Sequence, residues 1–187
     1  MATAPRAKLT YAEYVALESK GDVRHEYLRG EVWAMAGGTP EHGRIQVALA
    51  AEIRRALGRR PCVVLSSDVR VRIDASDRTT YPDLSVVCGK RETSAIDPHA
   101  ITNPVLIVEV LSESSERADR GDKFAHYRRL SSLQEYVLVA QDAPRIEVFR
   151  RSEAGWVLTE AGPGEQLVLT SIDATIAVDD VYFDPTA

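Results

Sequence analysis

Val105-Leu106-Ile107-Val108-Glu109-Val110-Leu111 is the stretch on which the fold turns. Glu109 is its one polar side chain. So apolar a run, rich in β-branched residues, suits a strand buried on both faces of a sheet. Strand periodicity puts Val105, Ile107, Glu109 and Leu111 on one face. A carboxylate there is costly unless it is paired, hydrogen-bonded or bound to a metal. If the strand ends at a cleft, Glu109 stands at its mouth, where open α/β sheets take their ligands.

Working outward, Ser112 to Arg120 reads as a polar, mobile loop, Asp119 to Leu130 as a helix and Glu135 to Ala140 as a strand. Upstream, Asp83 to Val87 is a strand, Asp74 to Thr80 a polar turn region and Lys90 to Asn103 a loop. Cys62 to Ile73 reads as one long strand. Glu41 to Leu57 is the strongest helix: Ile45, Leu49, Ile53 and Leu57 recur every fourth position, and Gly58 can end it. Thr10 can cap a short helix to Ser19, and Arg29-Gly30 turns a hairpin between Glu26 and Met35. Arg145–Arg150, Gly155–Glu160 and Gln166–Leu169 form an antiparallel appendage. The order predicts an α/β (α+β) fold: an αβββαβ core with a mixed central sheet plus added antiparallel strands. One domain is expected over 1–187, with its core at about 41–140, the N-terminal helix and hairpin at 10–36 and the C-terminal strands at 145–183.

With 187 residues, 44% hydrophobic and 27% charged, the chain can bury a sizeable core. It has no apolar run long enough to span a membrane. Its start, Met1 to Leu9, is basic and polar rather than a secretory leader, so a cytoplasmic protein is expected. Cys62 and Cys88 lie in apolar, strand-like stretches with no metal-ligand spacing, and read as two buried, reduced thiols. Lys and Arg total 23 against 28 Asp and Glu, a net charge of −5. That argues against a module that coats nucleic acid electrostatically, though not against an enzyme with a local basic patch.

Asp83, after Pro82, shares a strand face with Ser85 and Val87. If its strand pairs with that of Glu109, the two acids converge. They would then raise each other's proton affinity unless a divalent cation lies between them. Mg²⁺, with its oxygen ligands and retained waters, suits two acids and a phosphate. Asp119, Lys123 and Tyr127 share one helix face, which can aim the Lys123 ammonium at the pair. Singly, each feature has a plainer reading: a turn at Pro-Asp, a strand Glu paired with an arginine, a solvated helix lysine.

Together, Tyr81-Pro82-Asp83-Leu84, Ile107-Val108-Glu109-Val110-Leu111-Ser112, Asp119 with Lys123 and Tyr127, and Glu135-Tyr136 resemble the Uma-type family of restriction-endonuclease-like proteins. That family was long catalogued as a domain of unknown function and is placed in the PD-(D/E)XK nuclease superfamily. Glu26, Gly30-Glu31 and His42 also fall where it has its Glu, Gly-Glu and His. The resemblance covers Thr10 to Ala140. It implies that Asp83 is the Asp of PD, Glu109 the acidic member of (D/E)XK, and the Val110 backbone carbonyl a further metal ligand. Leu111 stands where the superfamily has lysine, and Lys123 on the next helix takes that part. The implied activity is hydrolysis of DNA with Mg²⁺ or Mn²⁺.

His42 opens the strong helix and can meet a phosphate or an acid ligand; the alternative is an ordinary first-turn polar residue. Glu26, Ser112 and Tyr127 are candidate neighbours of the site. Arg117, Arg120 and Arg128 flank Lys123 and are candidate DNA contacts, whereas Arg54, Arg55, Arg59 and Arg60 cluster at the far end of the strong helix. Two other readings stay open: an inactive nuclease-fold interaction module, and a metal-dependent hydrolase of a small phosphorylated molecule. A homodimer is expected, with the C-terminal strands as a possible contact.

Overall fold

The computed structural model describes residues 8–35, 37–113 and 115–186; most of the basic start of the chain lies outside them. In chain order the elements are α1 (Tyr11–Glu18), β1 (His25–Leu28), β2 (Glu31–Ala34), α2 (Pro40–Leu57), β3 (Cys62–Ser66), β4 (Arg70–Ile73), β5 (Arg78–Thr80), β6 (Leu84–Cys88), β7 (Ala100–Ile101) and β8 (Leu106–Val110). Then come α3 (Glu116–Ala118), a π-helical turn (Asp119–Lys123), α4 (Phe124–Tyr127), β9 (Glu135–Val139), β10 (Ile146–Ser152), β11 (Gly155–Ala161), β12 (Gln166–Leu169), β13 (Ala174–Ala177) and α5 (Val178–Tyr182).

The central sheet has six strands in the order β11-β10-β9-β8-β6-β3. β8 and β9 pair in parallel, and the other neighbours are antiparallel. α2, β3, β6, β8, the helical segment and β9 thus form the expected αβββαβ core. β8 is buried along its whole length because both faces are covered. Leu106, Val108 and Val110 pack in the core that also holds Ile45, Leu49, Ile53 and Leu57 of α2. Ile107 and Leu111 lie in a second core with Tyr127 and Tyr136.

The structure departs from the sequence reading at several elements. The long strand expected over Cys62 to Ile73 is two strands in different sheets. β4 joins a five-stranded sheet ordered β2-β1-β5-β4-β7. β-branched periodicity runs across the break, but the polar Ser66-Ser67-Asp68 turns the chain, and the Val69 N–H donates to the Ser66 carbonyl. The polar region before Pro82 holds a buried strand, β5, whose side chains find internal partners: Thr80 donates to Glu26, and Arg78 to Glu26 and Asp122. The loop from Lys90 to Asn103 contains β7. β10 and β11 extend the central sheet, and only β12 and β13 form a sheet of their own. The helix after β8 begins at Glu116, inside the stretch read as a loop, and α4 ends at Tyr127. The β1–β2 hairpin turns at Arg29 and Gly30, with φ of 49° and 92°, as a tight two-residue turn requires.

The two cysteines are not separate thiols. β3 and β6 pair antiparallel with Cys62 directly opposite Cys88, and the residues form a disulfide with their Cα atoms 4.0 Å apart. Both are half-buried against the core rather than fully buried, and their apolar flanks gave no sign that the strands were neighbours. The bond closes a loop between residues 26 apart, a length for which chain entropy gives about 3 kcal/mol of stabilisation. Reduction, or Cys88→Ser, is therefore expected to lower the melting temperature by about 5–10 °C. Identical melting curves with and without dithiothreitol would show that the bond carries no stability. Among the described residues, no helix is long and apolar enough to cross a membrane.

Candidate active site

The pairing of Leu84 with Val108 aligns β6 and β8, so the next residues outward, Asp83 and Glu109, emerge side by side. The Asp83 N–H lies 3.4 Å from Glu109 Oε2, and the Val110 N–H donates to Asp83 Oδ2 at 2.7 Å. The Val110 backbone also hydrogen-bonds the His42 imidazole. His42 reaches Asp83 Oδ2 at 3.1 Å from the first turn of α2, a start fixed by the Thr39 cap and Pro40. One turn on, Gln46 donates to the Asp83 carbonyl at 2.7 Å.

The helical segment supplies the other wall. Tyr127 Oη donates to Glu109 Oε1 at 2.8 Å, and Lys123 Nζ to the same oxygen at 3.2 Å. The π turn brings Asp119 Oδ1 within 2.8 Å of the same ammonium. Glu26, from β1, lies 3.8 Å from Lys123 Nζ.

Burial pushes the Glu109 carboxyl up to about 8, with Asp119 and Asp83 adding to the shift and Lys123 opposing it. Burial alone would lower the proton affinity of Lys123, but Glu109, Glu26 and Asp119 together outweigh it and keep the ammonium charged. His42 is raised chiefly by its hydrogen bond to Asp83 against the cost of burial, with the Asp83 and Asp119 charges and the Val110 backbone contributing. Four carboxyl groups thus crowd one lysine and one imidazole, with the Arg78 guanidinium paired to Glu26 and Glu109 holding its proton up to about pH 8.

All of these groups but Tyr127, which is buried behind Glu109, line a cleft of about 830 Å³ that also takes in Ser112. The structure brings together Asp83, Glu109, Lys123, Glu26, His42 and Tyr127. It does not bring the expected arginines: Arg117, Arg120 and Arg128 lie outside the lining. Arg120 is held by Glu116 and Glu147, at 2.6 Å from the latter. The sequence reading left out Arg78 and Trp33, which share the cleft. Arg78 was hidden in a region taken for a turn. Trp33 was legible, since a two-residue turn at Arg29-Gly30 sets it opposite Glu26.

Among the described residues, no three carboxylate, imidazole or thiol groups converge on one metal position. A cation here would rest on Asp83, Glu109, the Val110 carbonyl and water. That is an all-oxygen set of the kind Mg²⁺ takes.

Comparison with known proteins agrees with this fold. The crystal structure of a DUF820 protein from Anabaena variabilis, described as a "putative nuclease", superposes with a TM-score of 0.70 at 17% identity, over 87% of this chain and 91% of that one. Two uncharacterized proteins of Synechocystis sp. (strain PCC 6803) are similar in sequence. One, slr1290, is 35% identical over 96% of this chain and 94% of its own length; the other, sll1609, is 34% identical over 86% and 91%. The model of the Uma2 family, described as "Putative restriction endonuclease", matches residues 11–179. The chain therefore belongs to the Uma2 family.

Proposed function

We propose that the chain is a metal-dependent nuclease that hydrolyses DNA phosphodiester bonds at the Asp83–Glu109 cleft. The observation that carries this reading is the convergence of those two carboxylates from adjacent strand ends beside the Lys123 ammonium. Asp83, Glu109 and the Val110 carbonyl would hold Mg²⁺ or Mn²⁺, which when bound lowers the pKa of water and offsets charge growing on the phosphate. The side chains do the rest. Lys123 places a fixed positive charge beside the acids, where the attacking water or a phosphate oxygen would lie. Tyr127 fixes the orientation of Glu109 through its hydroxyl. Gln46 and His42 hold Asp83 from the α2 side.

The test is cleavage of plasmid and oligonucleotide DNA with Mg²⁺ or Mn²⁺ by the wild type, Asp83→Ala and Lys123→Ala. Asp83→Ala is expected to lose activity entirely, and Lys123→Ala about 10²–10³-fold, the scale for removing one positioned electrostatic group. Activity retained in both variants would belong to a contaminant. No cleavage together with no metal binding by calorimetry would leave an inactive nuclease fold. Turnover of nucleotides but not polymers would reassign the site to small phosphorylated substrates.

A further inference from the structure

We propose that Trp33 is the platform on which an unpaired base of single-stranded nucleic acid stacks, beside a phosphate held at the acid pair; this rests on the nuclease reading above. Trp33 pairs directly across the hairpin with Glu26. Side chains so opposed share a sheet face with Cβ atoms about 5 Å apart. Glu26 in turn lies 3.8 Å from Lys123 Nζ. The indole therefore stands on the cleft wall, one side chain from the ammonium, and it is among the residues lining the cleft.

Its one packing role among the described residues is to cover Arg78. Trp33 is 39% exposed and belongs to none of the three apolar cores, while its neighbour Val32 packs against the tyrosine cluster of α1 and β1. The Arg78 guanidinium lies 6.0 Å from the ring centroid, within range of a cation–π contact. Arg78 is itself buried and held by Asp122 and Glu26. The ring thus has the Arg78 guanidinium near its face and is itself part of the cleft lining.

Charge selects the substrate form. A duplex is held chiefly by cations that neutralise a track of phosphates. Here Arg78 and Lys123 are each engaged by carboxylates, and the chain carries a net charge of −5. Affinity must then come from contacts that phosphate charge does not supply. Base–aromatic stacking does this without regard to sequence, and an unpaired base offers the free π face that stacking needs.

The chain has two tryptophans, and Trp156 is packed under Arg151, so Trp156→Phe leaves Trp33 as the sole reporter. In that background and in EDTA, a short oligothymidylate is expected to quench the indole emission, and a blunt duplex to quench it far less. In the otherwise wild-type chain, Trp33→Leu, which keeps an apolar cover over Arg78, should weaken single-strand binding by anisotropy about tenfold. It should raise KM with little change in kcat, and Trp33→Phe should restore most of the affinity. Duplex bound as tightly as single strand, or a leucine variant that binds like the wild type, would overturn the proposal. Trp33-dependent binding of a strand that neither metal allows to be cut would instead sink the nuclease reading and leave the platform standing.

Discussion

Glu109→Gln should abolish metal-dependent cleavage, by roughly 10³-fold or more, and yet yield a metal-free protein that is more stable than the wild type at pH 8. Glutamine keeps the shape and can still accept from Tyr127 and Lys123, but it cannot offer a negative ligand. The stability gain follows from the proton. Glu109 binds a proton in the folded chain up to about pH 8, against an ordinary value of 4.5. Between those values the folded chain holds more protons than the unfolded one, so stability is greatest at the acid end and falls as pH rises. The variant lacks that loss. Each pKa unit corresponds to about 1.4 kcal/mol, and after allowance for relaxation of the site a gain of about 1–3 kcal/mol is expected. Thermal melts in EDTA should show the gap at pH 8 and its disappearance near pH 5. A variant that melts below the wild type at both pH values would show that the ionised carboxylate is held favourably without metal.

The largest loss of stability is expected far from the cleft. Glu135, at the start of β9, is fully buried. Its oxygens accept from the Thr170 N–H and hydroxyl, both at 3.1 Å, from the Ser171 N–H at 2.9 Å and from the Ser171 hydroxyl. Arg150 pairs with it at 2.8 Å. One carboxylate therefore fastens the turn between β12 and β13 to the central sheet. Alanine would leave two backbone donors without their acceptor and take one partner from two hydroxyls and from Arg150, which keeps the Val168 carbonyl, a loss on the order of 3–5 kcal/mol. For a chain of this size that is about 6–15 °C in melting temperature. An unchanged melt would mean that water or neighbouring groups replace the carboxylate without cost.

The central strand was legible because its burial is written in composition: nothing but a two-faced core explains Val105 to Leu111. Asp83 and Lys123 were legible by their spacing around it. The second sheet was not, since β5 is made of Arg78, Thr79 and Thr80, residues that normally mark surface. Their burial depends on partners such as Glu26 and Asp122, which lie 52 and 44 residues from Arg78. Pairing across such distances leaves no local period. The same holds for Cys62 and Cys88, whose bond depends on strand register rather than on spacing. The π turn was hidden for another reason: Asp119, Lys123 and Tyr127 at intervals of four fit an ordinary helix.

Leu111 lies in the apolar core with Ile107 and Tyr136, while the lysine sits on the helix beyond it. A lysine at that strand position would be bolted to the acid two residues earlier by the backbone itself. In this chain the two charges sit on different elements, β8 and the helical segment that follows it. The gap between ammonium and acid is therefore set by how the helical segment packs on the sheet, where the Tyr136 hydroxyl donates to the Asp119 carbonyl and that of Tyr127 to Glu109, and not by strand geometry alone.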